Sequence, residues 1–243
     1  MRQVPAKTHY LIIGHGRMAK HFCHYLNLLH IPYTQWSRKS HTEDELQAFA
    51  AQASHILLLI SDASIETFSR KLSLNNNQIL VHFSGQLCLE NVISAHPLYT
   101  FTQDLYPLEN YLTVPFIIEE NSLPFEQLLP GLTNNAYRIP RYLKAYYHAL
   151  CVLSANFTCI LWQKFFKELH NTFGFDEKVG LPYLRQTFQN LIHNPQGSLT
   201  GPLARNDQKT LLANMNALKN DPFLPVYEAF VKAFNEEMQH ECA

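Results

Sequence analysis

A doubly wound, mostly parallel α/β sheet over residues 1–140, followed by an all-α region over residues 141–243, is the fold class this sequence predicts. Short apolar runs alternate with segments of helical spacing from residue 8 to about residue 140. A glycine pair closes the first of these runs and opens a helix. Beyond Pro140 no convincing strand remains.

The elements follow in order. Tyr10-Leu11-Ile12-Ile13 is an apolar run ending at Gly14, and residues 18–30 carry apolar side chains at helical spacing, so the chain begins as strand, tight turn, helix. Residues 32–36 read as a second strand. Thr42 and Glu45 have the spacing of a capping box, in which each residue satisfies a backbone N–H of the other, and they open a helix through about residue 53. His55-Ile56-Leu57-Leu58-Leu59-Ile60 is nearly all apolar, as a parallel strand covered on both faces must be. A short helix over 65–72 and a strand over 78–83, ending at Ser84-Gly85, extend the alternation. Residues 112–119 read as a later strand, with Pro115 implying an edge position or a break because proline has no N–H to give to a ladder. A short helix over 123–132 and a last strand at Tyr137-Arg138-Ile139 complete the first region. Then comes a long helix over 142–172, followed by helices over 181–193, 207–219 and 223–239. The long helix is apolar almost all round, so its surface demands burial on several sides, and it could supply a homodimer interface.

Composition narrows the function. Of 243 residues, 47% are hydrophobic and 16% charged, a globular balance at a length that implies two domains. A net charge of −1 offers no basic field for nucleic acid and no polybasic patch for a membrane surface, which leaves small-molecule chemistry. Cys23, Cys88, Cys151, Cys159 and Cys242 are odd in number and lack paired metal-ligand spacing, so they read as reduced thiols of a cytoplasmic protein. Met1 to Lys7 lead into the first strand without the apolar run of a signal peptide. No charged residue lies between Lys144 and Lys164, but His148, Ser154, Asn156 and Gln163 would be costly in lipid, and the segment is read as a buried helix of a soluble protein. His21 and His24 share a helix yet have no carboxylate partner at matching spacing, so no metal is expected.

The loop Gly14-His15-Gly16-Arg17-Met18-Ala19 carries the first chemistry. Gly14 allows the tight turn, Gly16 removes a Cβ where a pyrophosphate must approach the backbone, and Ala19 keeps the helix close to the sheet. A phosphate would then meet the free N–H groups of the first helical turn, at Arg17 and Met18, and the positive end of the helix dipole. Its place between strand and helix is the context a Rossmann-type dinucleotide loop requires. In NAD-binding versions an acid at the end of the second strand, about 20 residues on, holds the ribose hydroxyls. Here that stretch is Ser37-Arg38-Lys39-Ser40, where the serines can donate and Arg38 can pair with a 2′-phosphate, so NADP(H) is favoured over NAD. The alternative is a solvated basic turn.

Further segments match more than this loop: Ser61-Asp62-Ala63-Ser64-Ile65, His82-Phe83-Ser84-Gly85 and His96-Pro97-Leu98-Tyr99-Thr100-Phe101 in the first region, then Lys144, Tyr147-His148, Ser154-Ala155-Asn156 and the stretch from Leu199 to Asp207 in the second. Together they resemble the two-domain Rossmann-like oxidoreductases with a C-terminal helical domain of unknown function, relatives of the 6-phosphogluconate dehydrogenase-like reductases. That family includes a short form of ketopantoate reductase. The resemblance implies an NADPH-dependent reductase of a small 2-keto acid, with 2-dehydropantoate, the precursor of pantoate in pantothenate and coenzyme A synthesis, as the single best substrate. A reductase of another small carbonyl or imine is the nearer alternative, and a non-catalytic NADP(H)-binding regulatory protein is the alternative from another class.

Hydride addition to a ketone builds negative charge on oxygen, so the site needs a donor near that oxygen and a group for the substrate carboxylate. The resemblance implies Lys144 as proton donor or carbonyl polariser, with His148 and Asn156 orienting substrate and Ser61 near the cofactor. Lys144 and His148 are four apart on one helix face. The chain departs from the longer ketopantoate reductases in placing His148, rather than Asn, four residues after the lysine. Asn156 lies mid-way along an uncharged apolar helix, where an amide needs partners. Ser84 ends a strand at the carboxyl edge of the sheet, where ligands collect, and either binds nicotinamide or substrate or simply turns the chain. His96 is either part of an active-site loop or an extended residue before proline. Arg205 precedes Asn206 and Asp207, either of which could cap the next helix, and an arginine there could clamp a carboxylate.

Overall fold

Four-residue strands alternate their side chains between two cores. The structure is a computed structural model that describes residues 8–241; Met1 to Lys7, read above for a leader, and Cys242 lie outside the described residues. In β1 (Tyr10–Ile13) every residue is buried. Tyr10 and Ile12 enter a core shared with Phe22, Leu26 and Leu57, while Leu11 and Ile13 enter a second core with Trp36, Leu46 and Ile56. Period-two alternation in a strand covered on both faces produces this split.

The sheet order is β2-β1-β3-β4-β5-β6-β7, with β2 (Tyr33–Trp36), β3 (His55–Leu58), β4 (Ile79–His82), β5 (Ile93–Pro97), β6 (Phe116–Glu119) and β7 (Ala136–Ile139). All neighbours are parallel except β5 and β6. Helices α1 (Arg17–Leu28), α2 (Glu43–Gln52) and α3 (Asp62–Ser69) connect the first strands. The capping box forms: Thr42 accepts from the Glu45 N–H, and the Glu45 carboxylate accepts from the Thr42 N–H at 2.6 Å. This is the doubly wound α/β fold expected, followed by a helical region.

Differences from expectation cluster after residue 90. β5 was not predicted as a strand. A short helix, α4 (Leu108–Leu112), ends on Leu112, where a strand was expected to start, and that strand begins only at Phe116. Pro115 precedes β6, which is an interior strand rather than an edge; the proline's carbonyl accepts from the Leu98 N–H at 2.8 Å. The segment 123–132 contains only one helical turn, α5 (Phe125–Leu128).

After β7 a 3-10 turn (Arg141–Leu143) leads into α6 (Lys144–Cys151), a π-helical segment (Val152–Phe157) and α7 (Thr158–Asn171). Ser154 bonds back to the Leu150 carbonyl at 2.8 Å inside the π segment, competing with the regular ladder. The chain forms two compact units that meet in sequence between Cys159 and Ile160. α6 belongs to the first because its side chains pack onto the sheet.

The second unit holds α8 (Leu181–His193), α9 (Gln208–Ala217) and α10 (Leu224–Glu241). Asp207, rather than Asn206, caps α9 by accepting from the Thr210 N–H. Lys164 ties α7 to Asp221 at 2.6 Å and to Glu168 at 2.8 Å. The expected burial of the long apolar helix is not met within one chain: Tyr146, Leu153 and Ile160 are exposed, and none of its most apolar stretch is buried.

Candidate functional site

The carboxyl ends of β1, β2, β3 and β4 open on a cleft of about 570 Å³. Its walls are the 14–18 loop, Trp36 to Lys39, Leu58 to Asp62, Ser64, Phe68, Phe83 and Ser84. Of the residues expected at a cofactor, Gly14, Gly16, Arg17, Met18, Ser37, Arg38 and Ser61 all line it, whereas Ala19 is fully buried beneath.

The two glycines are needed for different reasons. Gly14 has φ +140° and a Cβ there would run into the Leu59 carbonyl, so the turn out of β1 requires a residue without one. Its N–H donates to the Trp36 carbonyl at 3.0 Å and its own carbonyl accepts from Gln35 at 2.8 Å, which pins the loop to β2. Gly16 has ordinary φ and a Cβ there would meet nothing within 4 Å. The bare backbone faces the cleft beside a helix start that has no side-chain cap, so its N–H groups are free to meet an anion. A dinucleotide pyrophosphate fits this position.

At the β2 end Ser37 and Ser40 hydroxyls bond each other at 2.9 Å, and the 37–41 turn closes by N–H bonds to the Ser37 carbonyl. This fixed turn holds Arg38 and Lys39 at the cleft wall. Arg17 donates to the Phe101 carbonyl at 3.3 Å, tying the glycine loop to residues 98–107. Among the described residues Asp62 is the one acid on the cleft wall, and it accepts a hydrogen bond from the Ser84 hydroxyl.

Beyond Ser84 three imidazoles gather. His82 is buried; its Nδ1 accepts from the Ser84 N–H at 3.2 Å, and its Nε2 is sealed without a partner. Burial first, then the Lys144 charge and His96, push its pKa down to about 3. On β5, His96 Nδ1 meets the Tyr147 hydroxyl at 2.9 Å, and its ring lies edge-on to His148 at 5.6 Å. Burial, His148 and Lys144 push the His96 pKa down to about 4 against a raising contribution from Asp62. His148 packs so closely on Gly85 that a Cβ there would collide with its Nδ1, which is also sealed without a partner.

Lys144 is placed otherwise than expected. Its ammonium is 3% exposed, bonds the Leu87 carbonyl and pairs with Glu119 at 3.0 Å; Arg141 joins Glu119 at 3.2 Å. It does not line the cleft. Asn156 is exposed in the π segment, so the burial that nominated it is absent. Arg205 is exposed in the second unit. The structure therefore gathers His96 and His148 beside Ser84 and Gly85; of these expected site residues only Ser84 lines the cleft, and His96, His148 and Lys144 lie outside its lining. His21 and His24 are taken up elsewhere, by Tyr111 and Thr102 and by the Tyr106 carbonyl.

Sequence reasoning missed Asp62, Gly85, Tyr147 as a partner, and Glu119. The Glu119 signal was available: an acid that ends the apolar run Phe116-Ile117-Ile118 must find a cation when the strand is buried.

Residues 115–234 match a family model described as a domain of unknown function, DUF2520. A comparison with curated proteins finds no match. Among solved structures, a protein from Bacteroides fragilis described as an NADP oxidoreductase shares 20% identity at a TM-score of 0.73, covering 95% of this chain and 98% of that one. A Thermotoga maritima protein shares 24% at 0.67, covering 96% and 100%. A reductive aminase from Aspergillus terreus, solved with NADPH4, cyclohexanone and allyl amine, shares 13% at 0.63, covering 97% and 95%. At these identities the likeness establishes the fold over nearly the whole chain.

Proposed function

We propose that this chain is an NADP(H)-dependent reductase of a small carbonyl or imine compound. The observation that carries this is the cleft itself, in which the bare Gly16 backbone, an uncapped helix start and the Arg38-Lys39 turn lie at one end and Ser84 at the other. The described NADP oxidoreductase and the reductive aminase of the same fold support it.

Gly16 and the N–H groups at Arg17 and Met18 would hold the pyrophosphate, and Ser37, Arg38 and Lys39 the 2′-phosphate. The bound nicotinamide supplies the hydride. Ser84, held by Asp62, positions the nicotinamide end, and His96 donates to the substrate heteroatom. We assign the proton that completes the alcohol or amine to His148 Nε2, since the Lys144 ammonium is committed to Glu119 and Leu87. Lys144 is then a positioning residue that seats α6.

A 2-keto acid, with 2-dehydropantoate first in line, is the finer proposal. It needs a cation for its carboxylate, and exposed Arg205 is the candidate. An uncharged ketone or an imine needs none.

We also propose a homodimer. Across the second unit only Leu169, Gly180 and Leu211 are buried among the described residues, too few to hold a helical domain together. A second copy covering α8 and the long helix would complete that core.

NADPH oxidation against a panel of 2-keto acids including ketopantoate, uncharged ketones, and ketones mixed with amines tests class and substrate together. Turnover in no arm despite tight NADPH binding would overturn the reductase. Turnover only without a carboxylate would overturn the keto acid. A monomer at micromolar concentration in sedimentation velocity would overturn the dimer.

A further inference from the structure

We propose that Tyr147 fixes His96 as its Nε2–H tautomer, so that the imidazole presents a hydrogen-bond donor to the substrate heteroatom. The proposal rests on the reductase reading above for the identity of what accepts the bond, but the tautomer itself does not.

The geometry begins with a phenol between two neighbours. Tyr147 and Cys151 are one helical turn apart on α6, where the thiol is a neighbour of the phenol, and the Tyr147 hydroxyl lies 2.9 Å from His96 Nδ1. A phenol has one proton to give. An sp² ring nitrogen is a far better acceptor than a thiol sulfur, so the O–H is directed to His96 Nδ1 and the thiol is left as a weak donor. With Nδ1 accepting, the imidazole proton must sit on Nε2. Among the described residues that nitrogen has no partner, and it is not among the sealed, unpartnered atoms, unlike His82 Nε2 and His148 Nδ1. The ring edge bearing Cδ2, the carbon bonded to Nε2, lies against Gly85, the residue after Ser84 on the cleft wall.

The ring also stays uncharged where it is used. The titratable and charged groups around it are His82 on β4, Glu119 on β6, Asp62 at the start of α3, and Lys144, Tyr147, His148 and Cys151 on α6. Glu119 is occupied by Lys144 and Arg141. Burial and the neighbouring positive charges outweigh Asp62 and leave His96 neutral far below neutral pH. A neutral imidazole that donates without surrendering its proton polarises a C=O or C=N bond and survives each turnover unchanged. Tyr147 does not touch substrate in this scheme; it acts through His96.

The test is the long-range ¹H–¹⁵N spectrum of histidine-labelled full-length protein between pH 4.5 and 8, with and without Tyr147→Phe. In the wild type the His96 nitrogens should show the Nε2–H pattern from pH 8 down to about pH 5.5, with titration setting in only toward pH 4.5, as a ring held at about 4 requires. In Tyr147→Phe the pattern should move toward a mixture, kcat should fall about 3- to 10-fold, the size of one neutral hydrogen bond, and KM for NADPH should hold. His96→Gln, which keeps a donor, should retain more turnover than His96→Leu. An Nδ1–H pattern in the wild type overturns the proposal without any variant, and so do unchanged His96 shifts in Tyr147→Phe. If no substrate is reduced while the tautomer is as expected, the reductase reading fails and the tautomer control stands.

Discussion

Replacing Glu119 by Gln should cost more than any other single change at the joint between α6 and the sheet. Glu119 is 9% exposed and the Lys144 it neutralises 3% exposed. The variant can keep an amide oxygen and the Leu87 carbonyl beside the ammonium but removes the carboxylate charge that neutralises it. Removing one partner of such a pair costs about 3–5 kcal/mol. At about 2–4 °C per kcal/mol for a chain of this size, the unfolding midpoint should drop by roughly 10 °C. Lys144→Met should cost less, about 1–3 kcal/mol, because the stranded carboxylate keeps Arg141 at 3.2 Å, itself 44% exposed and easily solvated. The double variant Glu119→Leu, Lys144→Met removes both charges and should recover most of the loss. Thermal unfolding followed by near-UV circular dichroism at neutral pH measures all three. A Glu119→Gln midpoint within about 2 °C of wild type, or a Lys144→Met loss larger than that of Glu119→Gln, refutes the reasoning. The double variant also separates chemistry from seating. If it folds well yet loses more than about 100-fold in turnover, the ammonium is a reacting group after all.

Gly14→Ala should destabilise the fold by about 2 kcal/mol or more, since φ +140° disfavours any side chain and the Leu59 carbonyl blocks it; Gly16→Val should unfold like wild type while weakening NADPH binding by a factor measurable in fluorescence titration. Arg38→Asp should weaken NADPH about 10- to 100-fold more than NADH, and equal losses would remove Arg38 from the 2′-phosphate. Stability should also fall in mild acid. His82 and His96 are held down at about 3 and about 4 from 6.5, so between pH 6.5 and 4 the unfolded chain binds protons that the fold refuses. Their contribution is complete above pH 6.5 and lost toward pH 4; an unfolding midpoint that stays flat from pH 7 to 4.5 would contradict it.

β1, β3 and β4 were legible because each is a short, nearly unbroken apolar run between turn residues, and burial on both faces leaves nothing else to read. β5 was not, for the opposite reason. Ile93-Ser94-Ala95-His96-Pro97 carries a hydroxyl and an imidazole in place of apolar residues and ends in proline. Ser94 is polar because it donates to the Ser84 carbonyl at 3.2 Å, and His96 because it meets Tyr147. The residues that broke the strand pattern are the ones that build the site, which is where local and global preferences are expected to disagree. Pro115 misled in a different way: a missing N–H excludes proline from a ladder but not from the position just before one. The apolar breadth of the long helix was read as a demand for burial that one chain does not meet, and a sequence does not say where its cover would come from.

Lys144 shows what pattern reading cannot reach. A lysine four residues before a histidine on a helix has the same spacing whether it polarises a carbonyl or closes a buried ion pair; the difference lies in Glu119, on a strand 25 residues earlier. Once that pair is made, the charges nearest Ser84 and His96 are committed: Lys144 to Glu119, and Asp62 to the Ser84 hydroxyl. Burial is the main reason both rings stay deprotonated, and the Lys144 charge, lying close to His82 and His96, adds to it. A paired lysine therefore still acts on the site at a distance, favouring neutral donors over cationic ones. Removing it should raise the His96 pKa even though no bond to His96 is lost. A His96 titration unmoved in the Glu119→Leu, Lys144→Met variant would show that burial and His148 keep the ring neutral without Lys144.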